Sequence, residues 1–313
     1  MAQLGYPSFQ VTAAGESIGV PTRPSDRTGS SHVMAARLEP GGLPAAPRTG
    51  SMSATWARAW LRASAAAVAE QRIWLTDLDA AIGDGDHGIN LDRGMRRVLE
   101  VLDDAETAAL PAGELLESAG RVIMGSVGGA SGALYGRALQ RVGAALTAEA
   151  AATAAIRPPH ATDGLPAVAG GQQTGSGNDP GGDARTGLGD DPGDRVRVLA
   201  LAFDAAVEAI AALGRAAPGD KTMLDTLVPA SLALHRSMNE GDDLATALSR
   251  AAEAATLGME TTTPLVARRG RASYLGERSA GHLDPGAASS LLLVRALVST
   301  YPGLPRERRL PGD

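Results

Sequence analysis

Residues 78–102 read LDAAIGDGDHGINLDRGMRRVLEVL, and three kinds of segment follow one another within them. Asp79 closes a stretch of helical pattern, Asp84 and Asp86 lie on a glycine-rich turn, and Asn90 opens the next helix. The apolar stripe of that helix, Leu91, Met95, Val98 and Leu102, repeats every three or four residues, the spacing of one helix face.

The same stripe recurs to either side. Trp56, Trp60, Ala63 and Ala67 precede it; Leu115, Ala119, Val122 and Ile123 follow, then a pattern from Leu134 to Leu146. Further on come Leu199, Phe203, Ala206, Ile210 and Leu213, then Leu227, Ser231, Leu234 and Met238, then Leu244, Ala247, Leu248, Ala251 and Ala255. The last helix starts at Asp284-Pro285, an acceptor side chain before a proline whose missing N–H costs nothing in a first turn, and runs through Leu291 to Val298. Aromatic residues make up 3% of the 313 and alanine and leucine recur throughout, so strand formers are scarce and helix formers plentiful. About eight helices with one apolar face each must share a core, which predicts an all-α fold, an antiparallel eight-helix bundle or barrel.

Three segments fall outside this pattern. Residues 1–51 mix Gly, Pro, Ser and Thr without period, and residues 157–194 do the same through GGQQTGSGNDPGGD. Such stretches bury too little apolar surface to offset the entropy of ordering them, so they read as a disordered extension and a flexible insertion. The expected domain is 52–303, interrupted at 157–194, with a tail at 304–313.

The chain has no cysteine, which excludes disulfides and thiolate metal sites and leaves carboxylate, carbonyl, imidazole or water to hold any cation. A net charge of -6 gives no basic footprint for nucleic acid or an anionic membrane. No apolar run approaches the roughly 18 to 20 residues that span a bilayer, and the N-terminal residues do not read as a secretory signal. Cytoplasmic residence is the expectation.

Three carboxylates as close as Asp79, Asp84 and Asp86 repel one another unless a cation or a cluster of donors neutralises them. The glycines between them let the turn fold back so that all three face one point. An Asp-Gly-Asp turn is ordinarily a solvated one with helix caps, and that reading stays open on these residues alone. A calcium loop fails in detail, because its invariant glycine would fall on Ile89 and its bidentate glutamate on Met95. Gly125 to Gly132, between two helices, can aim backbone N–H groups at a phosphate or simply turn the chain. Residues 214–222, GRAAPGDKT, miss the phosphate-loop pattern by one residue and follow a helix instead of a strand, which leaves Lys221 and Thr222 as helix-start residues bordering a site. The stretch Ala267 to Ala287 brings four arginines together, and arginine suits phosphate through its planar fork of donors.

Together these segments resemble the L subunit, the nucleotide-binding domain, of the dihydroxyacetone kinase family. The resemblance rests on Leu78-Asp79 with GDGDHG at 83–88, GGASG at 128–132 with Leu134-Tyr135-Gly136, GDKTM at 219–223 with Asp225, and GRASYLGERS at 270–279 with DPGA at 284–287. It runs in order from about Ser53 to Tyr301. It implies an eight-helix barrel with ADP or ATP at one end, two magnesium ions on Asp79, Asp84 and Asp86, and His87, Gly88, Ile89 and Asn90 along the nucleotide. It further implies Ala130 and Ser131 at the phosphates, with Gly214, Met223, Arg271, Asp284, Pro285 and Gly286 around the rest. No catalytic residue is assigned. In the family the sugar is held by a separate K subunit, so the resemblance implies a phosphotransferase that donates to dihydroxyacetone or a similar small ketose on that partner. A phosphohistidine carrier that recharges bound ADP is a second implied partner, and a homodimer is left open. The alternative is an ADP-loaded regulatory module that binds another protein without phosphoryl transfer. The sequence departs from the family pattern in its extension, its insertion and Ala133, where proline is common.

Overall fold

The computed structural model describes residues 52–156 and 192–303. The expected extension at 1–51, most of the insertion and the tail at 304–313 lie outside the described residues. Pro192 to Asp194, read as the end of the insertion, form the first turn of a helix instead, with proline opening it.

Among the described residues there are nine α-helices and no strand: α1 (Ala54–Glu70), α2 (Arg72–Ile82), α3 (His87–Asp103), α4 (Ala112–Ser126), α5 (Gly129–Ile156), α6 (Pro192–Gly214), α7 (Leu224–Glu240), α8 (Leu244–Thr261) and α9 (Pro285–Ser299). The all-α expectation holds. The helical pattern that opens at Trp56 and closes at Asp79 is divided at Gln71 into α1 and α2.

Helix neighbours follow chain order: α3 packs on α4, α4 on α5, α5 on α6, α6 on α7, α7 on α8 and α8 on α9, and α1 touches both α9 and α3. The order closes on itself. At the closure, Trp56 and Trp60, one turn apart on α1, donate their indole N–H groups to the carbonyls of Leu297 (3.3 Å) and Leu293 (2.9 Å) on α9. Trp56 also packs its ring on Tyr301, centroids 5.2 Å apart. A buried indole keeps a partner for its N–H, and here the partners bind the two ends of the ring together.

Glycine sets the spacing of α4 against α5. A Cβ added at Gly113 would lie 2.7 Å from the carbonyl of Gly143, and one at Gly120 would lie 2.6 Å from that of Gly136. Seven residues forward on α4 match seven backward on α5, so the helices are antiparallel and their backbones touch where side chains would hold them apart. A second close approach lies between α7 and α8. Pro229 inside α7 has no N–H to give the Asp225 carbonyl, and Gly258 comes close enough that a Cβ there would meet that oxygen at 2.1 Å. The core is one continuous cluster drawn from all nine helices, Leu61, Leu75, Leu91, Leu115, Val196, Leu234, Leu248 and Leu291 among its members. No helix among the described residues is long and apolar enough to cross a membrane.

Candidate functional site

The acidic turn sits between α2 and α3. Asp79, buried on the last turns of α2, accepts the backbone N–H groups of Asp86 (2.9 Å) and His87 (3.1 Å) with Oδ2. Its carboxylate therefore caps α3 from a neighbouring helix and leaves Oδ1 for another partner. Asp86, in the N-cap position of α3, makes no capping bond of its own. Asp84 projects from the turn, and one oxygen each of Asp79, Asp84 and Asp86 lies within 4.8 Å of the other two. Gly83 makes that convergence possible, since a Cβ there would stand 2.1 Å from Asp79 Oδ1. Gly85, at φ +72°, supplies the left-handed step that turns the chain. One cation already faces the cluster: the Arg271 guanidinium is 3.0 Å from Asp84.

The carboxylates form one wall of an open cavity whose empty space, the solvent at its mouth included, is about 1020 Å³. Three helix N-termini meet there: α3 at Asp86 and His87, α5 at Gly129 to Ser131, and α9 at Asp284 to Gly286. The first turn of a helix carries N–H groups without intrahelical partners and the positive end of its dipole. Gly125 to Gly132, read as a loop between helices, is mostly helical; Val127 and Gly128 alone separate α4 from α5. Gly132 allows this by leaving room for the Val127 carbonyl, which a Cβ would meet at 2.1 Å. Ala130 and Ser131 thus lie in the opening turn of a long helix. Ile82, Leu134, Ile210, Ala216 and Met223 add apolar side chains to the lining.

The structure brings together Asp79, Asp84, Asp86, His87, Asn90, Ala130, Ser131, Gly214, Met223, Arg271, Asp284, Pro285 and Gly286 along this one cavity. Gly88 and Ile89 are in the same turn of α3 but do not line it. Gly88 faces α2, where a Cβ would strike the Arg72 carbonyl at 2.1 Å, and Ile89 points outward with half its surface exposed. A helix shows each face only every third or fourth residue, so four consecutive residues cannot all face one ligand.

Sequence reading missed a floor of buried polar residues. His87 lies between Ser131 (Nδ1 to Oγ, 3.1 Å) and Ser289 (Nε2 to Oγ, 2.8 Å). The Tyr135 hydroxyl is 2.7 Å from Ser289 Oγ, 2.9 Å from Ser290 Oγ and 3.1 Å from the Gly286 carbonyl. Burial lowers the His87 pKa against the opposing pull of Asp79 and Asp86, and burial pushes the Tyr135 hydroxyl up to about 12. Two signals were available: Ser131 and Tyr135 stand four apart on α5, and Ser289-Ser290 interrupts an otherwise apolar helix.

Lys221 also differs from its reading as a helix-start residue. It precedes α7 in the left-handed region, at φ +63°, and is fully buried. Its Nζ donates to the carbonyls of Thr262 (2.6 Å) and His282, which ties the turn before α7 to the end of α8 and the approach to α9. Burial lowers its pKa, with Asp284 and Asp225 acting in the other direction. Asp225 accepts from the N–H groups of Gly219 and Thr222 and so shapes the same turn. Asp284 caps α9 through Ala287 N–H at 2.7 Å, and burial pushes its carboxyl up to about 7.

The family model described as the DAK2 domain matches residues 81–176 and 185–299. This chain belongs to the DAK2 domain family. It is 35% identical to the ADP-binding subunit of PEP-dependent dihydroxyacetone kinase 1 of Listeria innocua, over 78% of this chain and 96% of the relative. It is 32% identical to the corresponding Escherichia coli subunit, over 79% of this chain and 97% of the relative. The dihydroxyacetone kinase of C. freundii shares the fold at a TM-score of 0.50 and 22% identity, over 90% of this chain and 39% of the longer one. The DAK2 match confirms the resemblance seen in the motifs and covers both sides of the expected insertion.

Proposed function

We propose that this DAK2 chain is the nucleotide-binding subunit of a dihydroxyacetone-type kinase, holding ADP or ATP through magnesium at Asp79, Asp84 and Asp86. The observation that carries the reading is the meeting of the three carboxylates with three helix N-termini in one cavity that also has apolar residues in its lining. Carboxylates alone would repel a phosphate, and helix N-termini alone would repel a cation. A metal-phosphate pair satisfies both. The pairing of Arg271 with Asp84 is consistent with a site that takes positive charge.

On this reading Asp79 Oδ1, Asp84 and Asp86 hold the metal, two ions by analogy with the family, and the metal supplies charge neutralisation between the phosphate oxygens. The opening turn of α5, Ala130 and Ser131, gives N–H groups to the phosphates, with His87, Asn90 and Arg271 beside it. Leu134, Ile210, Gly214 and Met223 receive the base, and Asp284, Pro285 and Gly286 border the sugar. The residues present are spent on the donor. The acceptor, dihydroxyacetone or another small ketose, is presented by a separate K-type subunit at the open mouth. The names of the L. innocua and E. coli relatives, ADP-binding subunits of PEP-dependent kinases, favour bound ADP that is rephosphorylated in place by a phosphohistidine carrier. Calorimetry with ADP tests the reading: binding is expected with magnesium and lost with chelator, and equal affinity in the two conditions would refute the metal assignment.

A further inference from the structure

Lys221 borders the cavity, yet it is fully buried and the scheme above gives it no role. A lysine ammonium has three N–H donors and no acceptor. Around its Nζ stand three carbonyl oxygens: those of Thr262 (2.6 Å) and Thr263 (3.5 Å), just past the end of α8, and that of His282, on the approach to α9. The charge suits the place, because carbonyls at the C-terminal end of a helix carry the negative pole of its dipole.

These carbonyls mark the two ends of one loop, residues 264–281. The Gly281 N–H donates to the Thr263 carbonyl at 2.8 Å and the Asp284 N–H to Thr262 Oγ1 at 3.1 Å, so the ends lie side by side and Lys221 sits at the neck. The loop faces the cavity: Arg269, Gly270, Arg271 and Ala272 line it, and Arg271 reaches Asp84 at 3.0 Å. Its exit leads into Asp284, Pro285 and Gly286. Hydrophobic packing does little to hold it. Among the described residues the core cluster takes no member from 264–281, and Tyr274 is 88% exposed. Polar ties hold it instead, and the turn that carries Lys221 supplies more of them. The Asp220 carbonyl accepts the Arg268 N–H at 3.0 Å, and the Asp220 carboxylate is 3.6 Å from Arg269 Nε.

We propose that Lys221 is a positioning residue for the nucleotide: its ammonium closes the neck of the 264–281 loop and so presents Arg269, Arg271 and the Asp284-Pro285-Gly286 helix start to the ligand in one arrangement. The inference rests on the nucleotide reading of the cavity and assigns Lys221 no contact with the reacting atoms. Without the ammonium, the Thr262 and His282 carbonyls lose a buried donor and the neck loosens. Binding then has to order a loop that the wild type holds ordered beforehand, and that cost appears as lost affinity.

The test compares the full-length wild type with Lys221→Met, which keeps the stem of the side chain and removes its donors. Hydrogen exchange read by mass spectrometry follows the loop, and calorimetry follows Mg-ADP binding. The variant is expected to melt cooperatively, to exchange faster only in the loop, its neck and the turn that carries residue 221, and to bind Mg-ADP at least about tenfold more weakly. Lys221→Gln, shorter by one atom and left with two donors, should show the same pattern to a smaller degree and carries the test if the Met variant does not fold. A purely structural role would raise exchange through all the helices together and leave affinity unchanged well below the melting temperature. That outcome, wild-type exchange in the loop, wild-type affinity, or failure of both variants to fold overturns the inference and leaves the nucleotide reading standing. A wild type that binds no Mg-ADP overturns the nucleotide reading and with it the role given to the neck, even where loop exchange changes as expected.

Discussion

Asp79 and Asp84 stand in the same cluster but carry different loads, and removing each separates folding from binding. Asp79 accepts two backbone N–H groups at the start of α3, at 2.9 and 3.1 Å, from a buried position. A hydrogen bond to a charged group contributes about 1.5–3 kcal/mol, and here the orphaned donors regain some water once the carboxylate is gone. Asp79→Ala is therefore expected to cost about 3 kcal/mol, which in a domain of this size lowers the melting temperature by roughly 6–12 °C. Asp84 pairs with the exposed Arg271, an ion pair of the kind that contributes about 0–1 kcal/mol. Its removal also relieves repulsion with Asp79 and Asp86, so Asp84→Asn should melt within about 2 °C of wild type in chelator. With magnesium and ADP at a hundred times the dissociation constant, the wild type gains about 2.7 kcal/mol, and neither variant should show that gain. Scanning calorimetry in chelator and in Mg-ADP reads all four states. If Asp84→Asn melts as low as Asp79→Ala without ligand, the division of labour drawn from the two hydrogen bonds is wrong.

Gly83→Ala should lose Mg-ADP affinity by more than about tenfold at unchanged helical dichroism, because its Cβ would stand 2.1 Å from Asp79 Oδ1 and turn that oxygen away; wild-type affinity would show that the cluster tolerates the methyl group. Asp284→Asn keeps a capping side chain on α9 but removes the titration. The folded value near 7 lies above the ordinary 3.8, so the protonated carboxyl stabilises the fold at low pH and that contribution is lost as pH rises toward 7. Urea midpoints of wild type relative to the variant should thus fall between about pH 4 and 7, and parallel curves would contradict the burial argument. Incubated with ATP, magnesium and dihydroxyacetone, the chain alone should form no sugar phosphate, and activity should appear when a K-type subunit is added; turnover without the partner would mean that an acceptor site exists within this chain.

What the sequence makes legible follows from how local each signal is. The acidic turn spans eight residues, so the convergence of Asp79, Asp84 and Asp86 can be inferred from glycine and charge without knowing what packs around them. The Asp284-Pro285 helix start is equally local. Glycine elsewhere is ambiguous, because the residue that breaks a helix in isolation also lets two helices touch. Gly125 to Gly132 reads as a loop on propensity, yet most of it is helical, and Gly132 leaves the room that the Val127 carbonyl five residues back requires. The seven-residue spacing of Gly113 and Gly120, repeated by Gly136 and Gly143, becomes meaningful only once α4 and α5 are known to be partners.

The polar floor is the least local feature of all. His87 and Ser289 are 202 residues apart, and Tyr135 and Ser289 are 154 apart, so no spacing rule connects them. A serine in an apolar helix reads as a weak spot until the opposing imidazole is in view. Buried polar groups are costly unless each is satisfied, and the near-complete pairing along this floor indicates that it is held in one arrangement. Asp225 and Lys221 serve the turn before α7, Asp284 caps α9, Asp79 caps α3, and the floor joins His87 to Ser289. Of the remaining histidines in the described residues, His235 pairs with Asp204 at 2.7 Å between α6 and α7, and His282 is exposed with its carbonyl taken by Lys221. Asp225, Lys221, Asp284, Asp79 and His87 thus each have a structural partner within the chain, which ties the walls of the cavity to the helices that carry them.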